Sequence, residues 1–373
     1  MRVAFDAKRA FHNHRGLGNY SRNMIRILSE SYSENEYFLL NPKVKKNIDF
    51  PINRNNTKIL YPKNIFYKMF PALWRSYGCI SDINALNINI FHGLSQELPL
   101  GIHRTKIKTV ATVHDTIFMR YPEQYDKVYR NIFIKKNKYI AKNADKIIAI
   151  SETTKQDFIH FFNAEPDKID VVYQGCNNLF HEKISREKLA EVRVKFRLPD
   201  NYLLAVGAIE PRKNMETILK SIKQGNIALP FVIVGKETNY LRVIKQLIME
   251  LGIEQQIIFL HNVSIEDLPA IYKMSDIFIY LSMFEGFGIP IVEALSVGVP
   301  VITTRGGVFK ETGGNTCLYV DYDNIDEMAA GLELLLSDQN LRKQMIDDGL
   351  KHVQLFSDEN IAKNILKTYH SII

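Results

Sequence analysis

The chain is poor in cysteine and tryptophan, with three cysteines and one tryptophan among 373 residues. Cys79, Cys176 and Cys317 are far apart and match no disulfide framework and no metal-binding spacing. No apolar run approaches the roughly 20 residues that a membrane-spanning helix needs. Residues 1–8 lack the apolar core and the small-residue cleavage site of a signal peptide, and their pattern predicts a strand. These absences indicate a reduced, globular protein of the cytoplasm.

The net charge of +7 is distributed unevenly along the chain. Residues 1–180 hold 27 Lys/Arg and 16 Asp/Glu, a balance of +11, whereas residues 181–373 carry −4. A basic first half suggests an anionic partner for that half. No nucleic-acid-binding module is recognisable, so an anionic membrane surface fits better than nucleic acid. Simple solubilising charge is the alternative.

Short apolar runs alternate with helical patterns along the whole chain, which is typical of parallel βα units. The length favours two domains over one. We expect a first Rossmann-like domain over residues 1–180 and a linker over 181–198. A second Rossmann-like domain over 199–357 and a terminal helix over 358–373 would follow. The predicted fold class is α/β.

The most informative stretch is L-S-M-F-E-G-F-G-I-P-I-V-E-A-L-S-V-G-V-P, residues 281–300. It follows an apolar run at Ile277–Tyr280 that predicts a buried strand. Gly286 and Gly288 then allow a tight loop in which the backbone can approach a ligand. Pro290 is typical of the first turn of a helix. The loop therefore lies at the carboxyl end of a strand, where open parallel sheets bind ligands.

Two carboxylates flank this predicted helix start, Glu285 in the loop and Glu293 in the helix. A helix N-terminus offers N–H groups and partial positive charge to a phosphate. Carboxylates accept hydrogen bonds from paired sugar hydroxyls. A nucleotide sugar, a diphosphate between a ribose and a hexose, would use both. The alternative is that the glutamates only cap the helix.

Three further polar residues follow predicted strands. Arg212 and Lys213 lie between a strand at Tyr202–Val206 and a helix from Met215, and such side chains can hold a phosphate. Surface solvation is their alternative role. His114 follows the strand at 108–113, where a neutral imidazole can exchange hydrogen bonds with a sugar. Its neighbour Asp115 has weaker support and would orient a loop.

The motif E-G-F-G-I-P-I-V-E-A resembles the signature of the retaining glycosyltransferases of family 4, the glycosyl transferases group 1. That resemblance implies the GT-B architecture, two Rossmann-like domains that face each other across a cleft. It also implies that the first domain binds the acceptor, that the second binds the nucleotide sugar, and that the terminal helix over 358–373 crosses back to the first domain. It places Glu285 at the donor sugar and Glu293 at the ribose hydroxyls. It also assigns four loop residues to the donor: Gly286, Phe287, Gly288 and Ile289.

The resemblance extends to other loops. Asp6-Ala-Lys8 with Gly16-Leu-Gly-Asn-Tyr20 is similar to a family loop that faces the donor phosphates, which makes Gly16 and Gly18 donor candidates. A plain turn before a helix is their alternative. The family element G-x-x-x-x-x-K-N matches residues 207–214, and the family places a histidine where His114 stands.

The implied reaction transfers a hexose from a nucleotide diphosphate sugar to a hydroxyl, with retention at the anomeric carbon and without a metal. The loops around Gly16 and His114 resemble those of bacterial mannosyltransferases that build surface polysaccharide such as lipopolysaccharide or capsule, which favours GDP-mannose. The expected acceptor is lipid-linked or an oligosaccharide, with peripheral contact at the inner face of the cytoplasmic membrane. Asp321-Tyr-Asp323 has a metal-binding spacing but precedes a helix and fits capping. The rivals are a nucleotide-sugar 2-epimerase and a non-catalytic binding protein.

Residues 61–75 mix aromatic side chains with lysines and contain the single tryptophan, Trp74. Such a mixture is typical of interfacial segments. The segment would form a wall of the acceptor site or a membrane-contacting patch. The alternative is an ordinary helix that packs its aromatics inward.

Overall fold

The structure is a computed structural model that describes residues 1–44, 48, 50 and 52–373. It divides into two compact units. Unit 1 comprises Met1–Gln174 and Ser357–Ile373, and unit 2 comprises Gly175–Phe356.

Unit 1 is built on a seven-stranded parallel sheet with the order β3-β2-β1-β4-β5-β6-β7. The inner strand β1 pairs with β2 on one side and β4 on the other, so the direction of winding reverses between β1 and β4. Its inner strands are buried on both faces because helices cover both sides. The strands are β1 Arg2–Asp6, β2 Glu36–Leu40, β3 Thr57–Leu60, β4 Ile90–Gly93, β5 Lys108–Val113, β6 Lys146–Ala149 and β7 Ile169–Val171.

The helices of unit 1 differ in how firmly they pack. The long helix α2 buries an apolar face, whereas α3 and α4 bury none of their residues. The α-helices are α1 Lys8–His12, α2 Gly16–Ser31, α3 Ile65–Met69, α4 Pro71–Leu73, α5 Cys79–Asn84, α6 Ile117–Arg120, α7 Lys127–Asn143 and α8 Glu152–Phe162, and a π-helical turn, Trp74–Gly78, joins α4 to α5.

Unit 2 repeats the plan with a six-stranded parallel sheet of order β10-β9-β8-β11-β12-β13, so its winding reverses between β8 and β11. The strands are β8 Leu203–Val206, β9 Phe231–Val234, β10 Ile257–Leu260, β11 Ile277–Tyr280, β12 Val301–Thr304 and β13 Leu318–Val320. The helices are α9 Arg186–Phe196, α10 Met215–Gln224, α11 Leu241–Leu251, α12 Leu268–Lys273, α13 Ile289–Ser296, α14 Val308–Gly313, α15 Ile325–Ser337 and α16 Gln339–His352.

Residues 181–198, the expected linker, lie within unit 2. Lys188 and Lys195 of α9 form ion pairs with the buried Asp267 at 2.8 and 2.6 Å. Val192 is also fully buried. Helix α9 therefore packs on unit 2 through one buried apolar residue and two ion pairs.

The last helix, α17 Asp358–His370, belongs to unit 1. Its residues Ile361, Ile365 and Tyr369 are buried in the same apolar cluster as β1 and α2. Arg26 of α2 donates a hydrogen bond to Asp358 at 2.6 Å. Unit 1 is thus assembled from the two ends of the chain.

Among the residues that the structure describes, none of the helices combines the length and the apolar character required to span a bilayer. The three cysteines are free thiols, two of them buried.

Candidate active site

The site in unit 2 lies where the winding of its sheet reverses. Strands β8 and β11 are neighbours and parallel, so the loops after them begin side by side. The loop after β8 carries Arg212 and Lys213, and the loop after β11 carries Glu285. Open α/β sheets bind ligands at this position, because the diverging connections leave a crevice at the carboxyl ends of the strands.

The loop after β11 has a fixed shape. Gly288 has φ of +112°, in the left-handed region that favours glycine, and it precedes the first residue of α13. The Phe287 side chain is buried and packs edge-on against Phe356 at 5.5 Å. Pro290 occupies the first turn of α13. The loop therefore presents the N-terminus of α13, while Phe287 points its ring into the core and can offer a ligand only its backbone.

Glu285 is the centre of a charged cluster. Its Oε1 accepts hydrogen bonds from Lys213 Nζ at 2.6 Å and from the Tyr280 hydroxyl at 2.9 Å, and it forms an ion pair with Arg212. Burial alone would raise the pKa of Glu285, but Lys213 and Arg212 lower it to about 2. Glu285 is therefore ionised at neutral pH.

The two cations of this cluster are held in place by more than Glu285. Arg212 Nη1 donates to the carbonyl oxygen of Phe284 at 2.7 Å. Lys213 Nζ donates to the Tyr280 hydroxyl at 2.7 Å and lies 4.5 Å from the centre of that ring. Two carboxylates offset these charges, the buried Glu285 and the half-exposed Glu210, whose Oε2 lies 3.7 Å from Arg212 Nη2. The guanidinium and ammonium groups still offer N–H donors to an anion beside the N-terminus of α13.

Gly207 packs against Lys213 in a backbone conformation that favours glycine. Its φ is +147°, and a Cβ there would lie 3.4 Å from Lys213 Cε, an ordinary van der Waals contact. A larger residue is therefore disfavoured by backbone strain and not by lack of space. This explains in physical terms the first position of the G-x-x-x-x-x-K-N element.

Glu293 has a different electrostatic environment. Its Oε2 accepts a hydrogen bond from the Tyr272 hydroxyl at 2.8 Å, and burial raises the pKa of Glu293 to about 7. Unlike Glu285, it makes no ion pair with any cation among the described residues, and its pKa lies near neutrality. The two glutamates of the motif therefore have pKa values on opposite sides of the ordinary value.

In unit 1, His114 follows β5 and is buried. Its Nε2 lies 2.8 Å from the carbonyl oxygen of Leu94, which can only accept, so Nε2 carries the proton and Nδ1 is left as an acceptor. Burial lowers the pKa of His114 to about 4, so the ring is neutral at pH 7. Asp115 accepts from the N–H of Ile117 at 3.2 Å and so shapes the loop into α6.

Gly16 and Gly18 begin α2, and they differ from each other. A Cβ at Gly18 would lie 1.7 Å from the carbonyl oxygen of Asn13, so the tight packing of this turn requires glycine. A Cβ at Gly16 would meet nothing within 4 Å. The same helix brings Tyr20 edge-on to His114, with ring centres 4.6 Å apart. The first turns of α2, which contain the two glycines, therefore lie close to His114.

Behind them runs a buried hydrogen-bonded chain. Tyr20 bonds to Thr112 at 3.1 Å, Thr112 to His92 Nε2 at 2.8 Å, and His92 Nδ1 to Tyr369 of α17 at 2.7 Å. The chain fixes the side chains that surround His114.

Two tyrosines, Tyr280 and Tyr272, donate hydrogen bonds directly to the two glutamates. The sequence does not single them out, because Tyr280 lies in an apolar strand and Tyr272 in a helix, and nothing in the local pattern separates them from core aromatics.

The Asp321-Tyr-Asp323 segment is engaged in protein contacts. Asp321 accepts a hydrogen bond from Arg305 at 2.8 Å, and α15 is capped by Asn324. In the described part of the chain, no group of three or more His, Cys, Asp or Glu residues could hold a metal.

Comparisons with known proteins agree with this geometry. Residues 15–178 match the model "Glycosyltransferase Family 4", and residues 187–352 match "Glycosyl transferases group 1". O-antigen chain mannosyltransferase B of Escherichia coli is 26% identical over 99% of both chains. O-antigen chain mannosyltransferase RfbU of Salmonella typhimurium is 32% identical over 69% of both chains.

Solved structures share the fold. A glycosyltransferase from Rickettsia africae has a TM-score of 0.76 at 19% identity and covers 100% of this chain and 98% of its own. Anabaena HepE in complex with UDP has a TM-score of 0.73 at 17% identity, with 100% of each chain covered. The two parallel-sheet domains are those of GT-B glycosyltransferases, as the sequence predicted. On the family models and the relatives together, this chain belongs to glycosyltransferase family 4, the glycosyl transferases group 1.

Proposed function

We propose that this protein transfers a hexose from a nucleotide diphosphate sugar to a hydroxyl of a glycan acceptor, with retention at the anomeric carbon. GDP-mannose is the favoured donor, because two relatives that this chain matches over most of their length are named as O-antigen mannosyltransferases. The observation that carries the proposal is the cluster of Arg212, Lys213 and Glu285 at the start of α13.

In this proposal the donor diphosphate lies against Arg212, Lys213 and the N-terminus of α13. As the bond from the anomeric carbon to the phosphate oxygen breaks, negative charge grows on the phosphate and positive charge on the sugar ring. The cations stabilise the first charge, and the ionised Glu285 stabilises the second. Because the two cations and the helix supply this stabilisation, the reaction is proposed to need no metal.

Retention follows if the acceptor attacks from the face that the phosphate leaves. The acceptor oxygen then bonds to the anomeric carbon, and its proton passes to the departing phosphate oxygen. His114, neutral with Nδ1 as acceptor, is proposed to receive a hydrogen bond from a hydroxyl of the reacting sugar. Its pKa of about 4 makes it a positioning group here and not a general acid.

The remaining donor contacts are proposed to come from backbone and from Glu293. The loop of Gly286, Phe287, Gly288 and Ile289 would offer N–H groups, and the glycine loop of Gly16 and Gly18 would meet the phosphates. Glu293 would accept hydrogen bonds from the ribose hydroxyls, a role that requires its ionised form.

The acceptor is proposed to be a lipid-linked glycan or oligosaccharide of a bacterial surface polysaccharide. The basic first half of the chain and the exposed apolar side chains of α3 and α4 support a peripheral position at the inner face of the cytoplasmic membrane. Nucleic acid is not among the proposed partners.

The first test is thermal stabilisation by a panel of nucleotides and nucleotide sugars, with and without magnesium. A ligand bound only by the folded state raises the melting temperature. We expect GDP and GDP-mannose to stabilise unit 2 whether or not magnesium is present. If only nucleotides with another base stabilised the protein, the donor would be a different nucleotide sugar. If stabilisation required magnesium, the proposal of a metal-free reaction would be contradicted.

The second test is turnover with GDP-mannose and a glycan acceptor. We expect Glu285→Gln to abolish transfer and Glu266→Gln, an exposed glutamate of the same unit, to leave it unchanged. The anomeric configuration of the product, read by NMR, tests retention. Full activity of Glu285→Gln would refute the assignment.

A further inference from the structure

Unit 1 contains a cavity of about 780 Å³. Its lining includes none of Gly16, Gly18 and His114, but it does include Asp6 and Lys8 of the segment that resembles the family's donor loop. This volume is within the range of about 300–1,000 Å³ that small-molecule sites occupy. The walls come from the end of β1, the start of α1, residues 40–43 and 69–79, β4 with the loop after it, and α7. Apolar side chains dominate the lining, among them Phe70, Leu73, Leu98 and Ile132.

One wall is fixed by a few interior contacts, although most of its apolar side chains face outward. Trp74 is fully buried and donates from Nε1 to Asp82 at 2.7 Å. A Cβ at Gly78 would lie 2.5 Å from the ring of Tyr67, so that ring packs directly on the backbone. In contrast, Met69 and Phe70 are 70% and 48% exposed. The alternative for this segment, that its aromatics pack inward, therefore holds for Trp74 and the Tyr67 ring but not for Phe70.

The cavity also contains paired charges. Arg75 Nε donates to both carboxylate oxygens of Asp6 at 3.0 and 2.9 Å, and Arg75 also forms an ion pair with Glu97. Lys136 Nζ binds the other oxygen of Glu97 at 2.8 Å. These four groups form a balanced cluster that closes one side of the cavity.

Beyond that cluster, the other charged residues that line the cavity are all cations: Lys8, Arg9, Lys43 and Lys135. The Nε of Arg9 is buried and, within the described residues, has no hydrogen-bond partner. A buried guanidinium N–H without a protein acceptor is costly, and a ligand oxygen or a water would satisfy it. An apolar cavity with such cations selects a ligand with a hydrocarbon part and an anionic end.

We propose that this cavity binds the hydrocarbon chain of a single-chain lipid phosphate, with the phosphate held by Arg9 and Lys8. This inference rests on the proposed function, in that the lipid phosphate would be the carrier of the glycan acceptor. The apolar lining takes the chain, and the exposed residues of α3 and α4 form its mouth. The proposed ligand is an anionic lipid and not a neutral one, because a neutral lipid would leave the positive charge of the four cations unmatched.

The position of Arg9 connects this cavity with the predicted reaction centre. Burial is the main reason that the pKa of His114 is low, and the nearby charge of Arg9 lowers it further. A phosphate on Arg9 is therefore proposed to direct the attached glycan toward the part of unit 1 that holds His114. The bound lipid would thereby set how far the attached glycan can extend from the cavity.

The test measures binding of farnesyl phosphate, farnesol and inorganic phosphate to the full chain by calorimetry, below the micellar range. We expect farnesyl phosphate to bind one to one and at least tenfold tighter than farnesol or phosphate alone. Each buried methylene tightens binding about fourfold. Fluorescence of the single tryptophan, Trp74, reports locally because it adjoins two lining residues.

Two variants separate the parts of the site. Ile132→Asn, at a lining position that is 47% exposed, is expected to weaken farnesyl phosphate at least tenfold, whereas Val194→Asn, an exposed valine of unit 2, changes it less than twofold. Arg9→Gln is expected to weaken farnesyl phosphate but not farnesol. If Ile132→Asn does not fold, Leu73→Asn carries the same test.

Equal affinities of Ile132→Asn and the parent, or binding only above the micellar range, would overturn the proposal. The titration contains no nucleotide sugar, so its outcome is separate from that of the transfer assay. Transfer to a soluble glycan without farnesyl phosphate binding would refute the cavity alone. Binding without any sugar transfer would refute the proposed function and leave the cavity assignment standing.

Discussion

Glu293 offers the sharpest prediction, because its protonation should couple stability to pH. Burial raises the pKa of Glu293 from its ordinary value of 4.5 to about 7. The folded protein therefore binds this proton more tightly than the unfolded chain does. The resulting stability is fully present below pH 4.5 and is lost as the pH rises through 7.

The size of the effect follows from the same two values. One pKa unit corresponds to about 1.4 kcal/mol, so protonation of Glu293 stabilises the fold by about 3 kcal/mol at low pH relative to pH 8. The change Glu293→Gln keeps an oxygen that can accept from Tyr272 and removes the titration. We expect the variant to match the parent near pH 5 and to be more stable at pH 8, by up to about 3 kcal/mol.

The assay is denaturant unfolding of both proteins at intervals between pH 5 and pH 9, with Glu266→Gln as the exposed control. The transition of unit 2 is followed, since two domains need not unfold together. A stability difference between parent and Glu293→Gln that stays constant from pH 5 to pH 8 would refute the reasoning. Under the proposed function, donor affinity of the parent should fall about tenfold per pH unit below 7, and the variant should lack this dependence.

Three further perturbations have defined outcomes. Lys213→Met should lower the turnover of the donor at least tenfold, because it removes a charge-assisted contact, and unchanged steady-state rates would contradict this. Gly18→Ala should lower the melting temperature by several degrees, because a Cβ there would lie 1.7 Å from a carbonyl oxygen, while Gly16→Ala should be nearly neutral. Tyr369→Phe should cost about 1–3 kcal/mol in chemical denaturation, since it leaves the buried His92 without one of its two partners.

Much of the fold was predictable because its strands are buried on both faces and give continuous apolar runs. The predicted strands at 108–113 and 277–280 have the bounds that the structure shows, and the strand predicted at 202–206 begins one residue later. The edge strand β3, Thr57–Leu60, gives no apolar run, because only Thr57 of its four residues is buried.

The residues of the candidate site also fall into those that the sequence reveals and those that it does not. Residues that combine charge with a position after a strand, such as Arg212, Lys213 and Glu285, are visible to sequence reasoning, and the structure brings these three into contact. Tyr272 and Tyr280 are not visible, because a buried tyrosine differs from a core phenylalanine only by what its hydroxyl meets. The difference in pKa between Glu285 and Glu293 is equally hidden, since it arises from neighbours distant in the chain.

The return of α17 to unit 1 reverses the order in which the units can finish folding during synthesis. Residues 175–356 contain all of unit 2, whereas the core of unit 1 lacks Ile361, Ile365 and Tyr369 until the end. At roughly 5–20 residues per second, the first 174 residues wait about 10–40 s for their last helix. During that interval the apolar surface of α2 that α17 later covers is open to chaperones and to other nascent chains. The emerging chain is therefore most exposed to aggregation in its first half, although that half is made first.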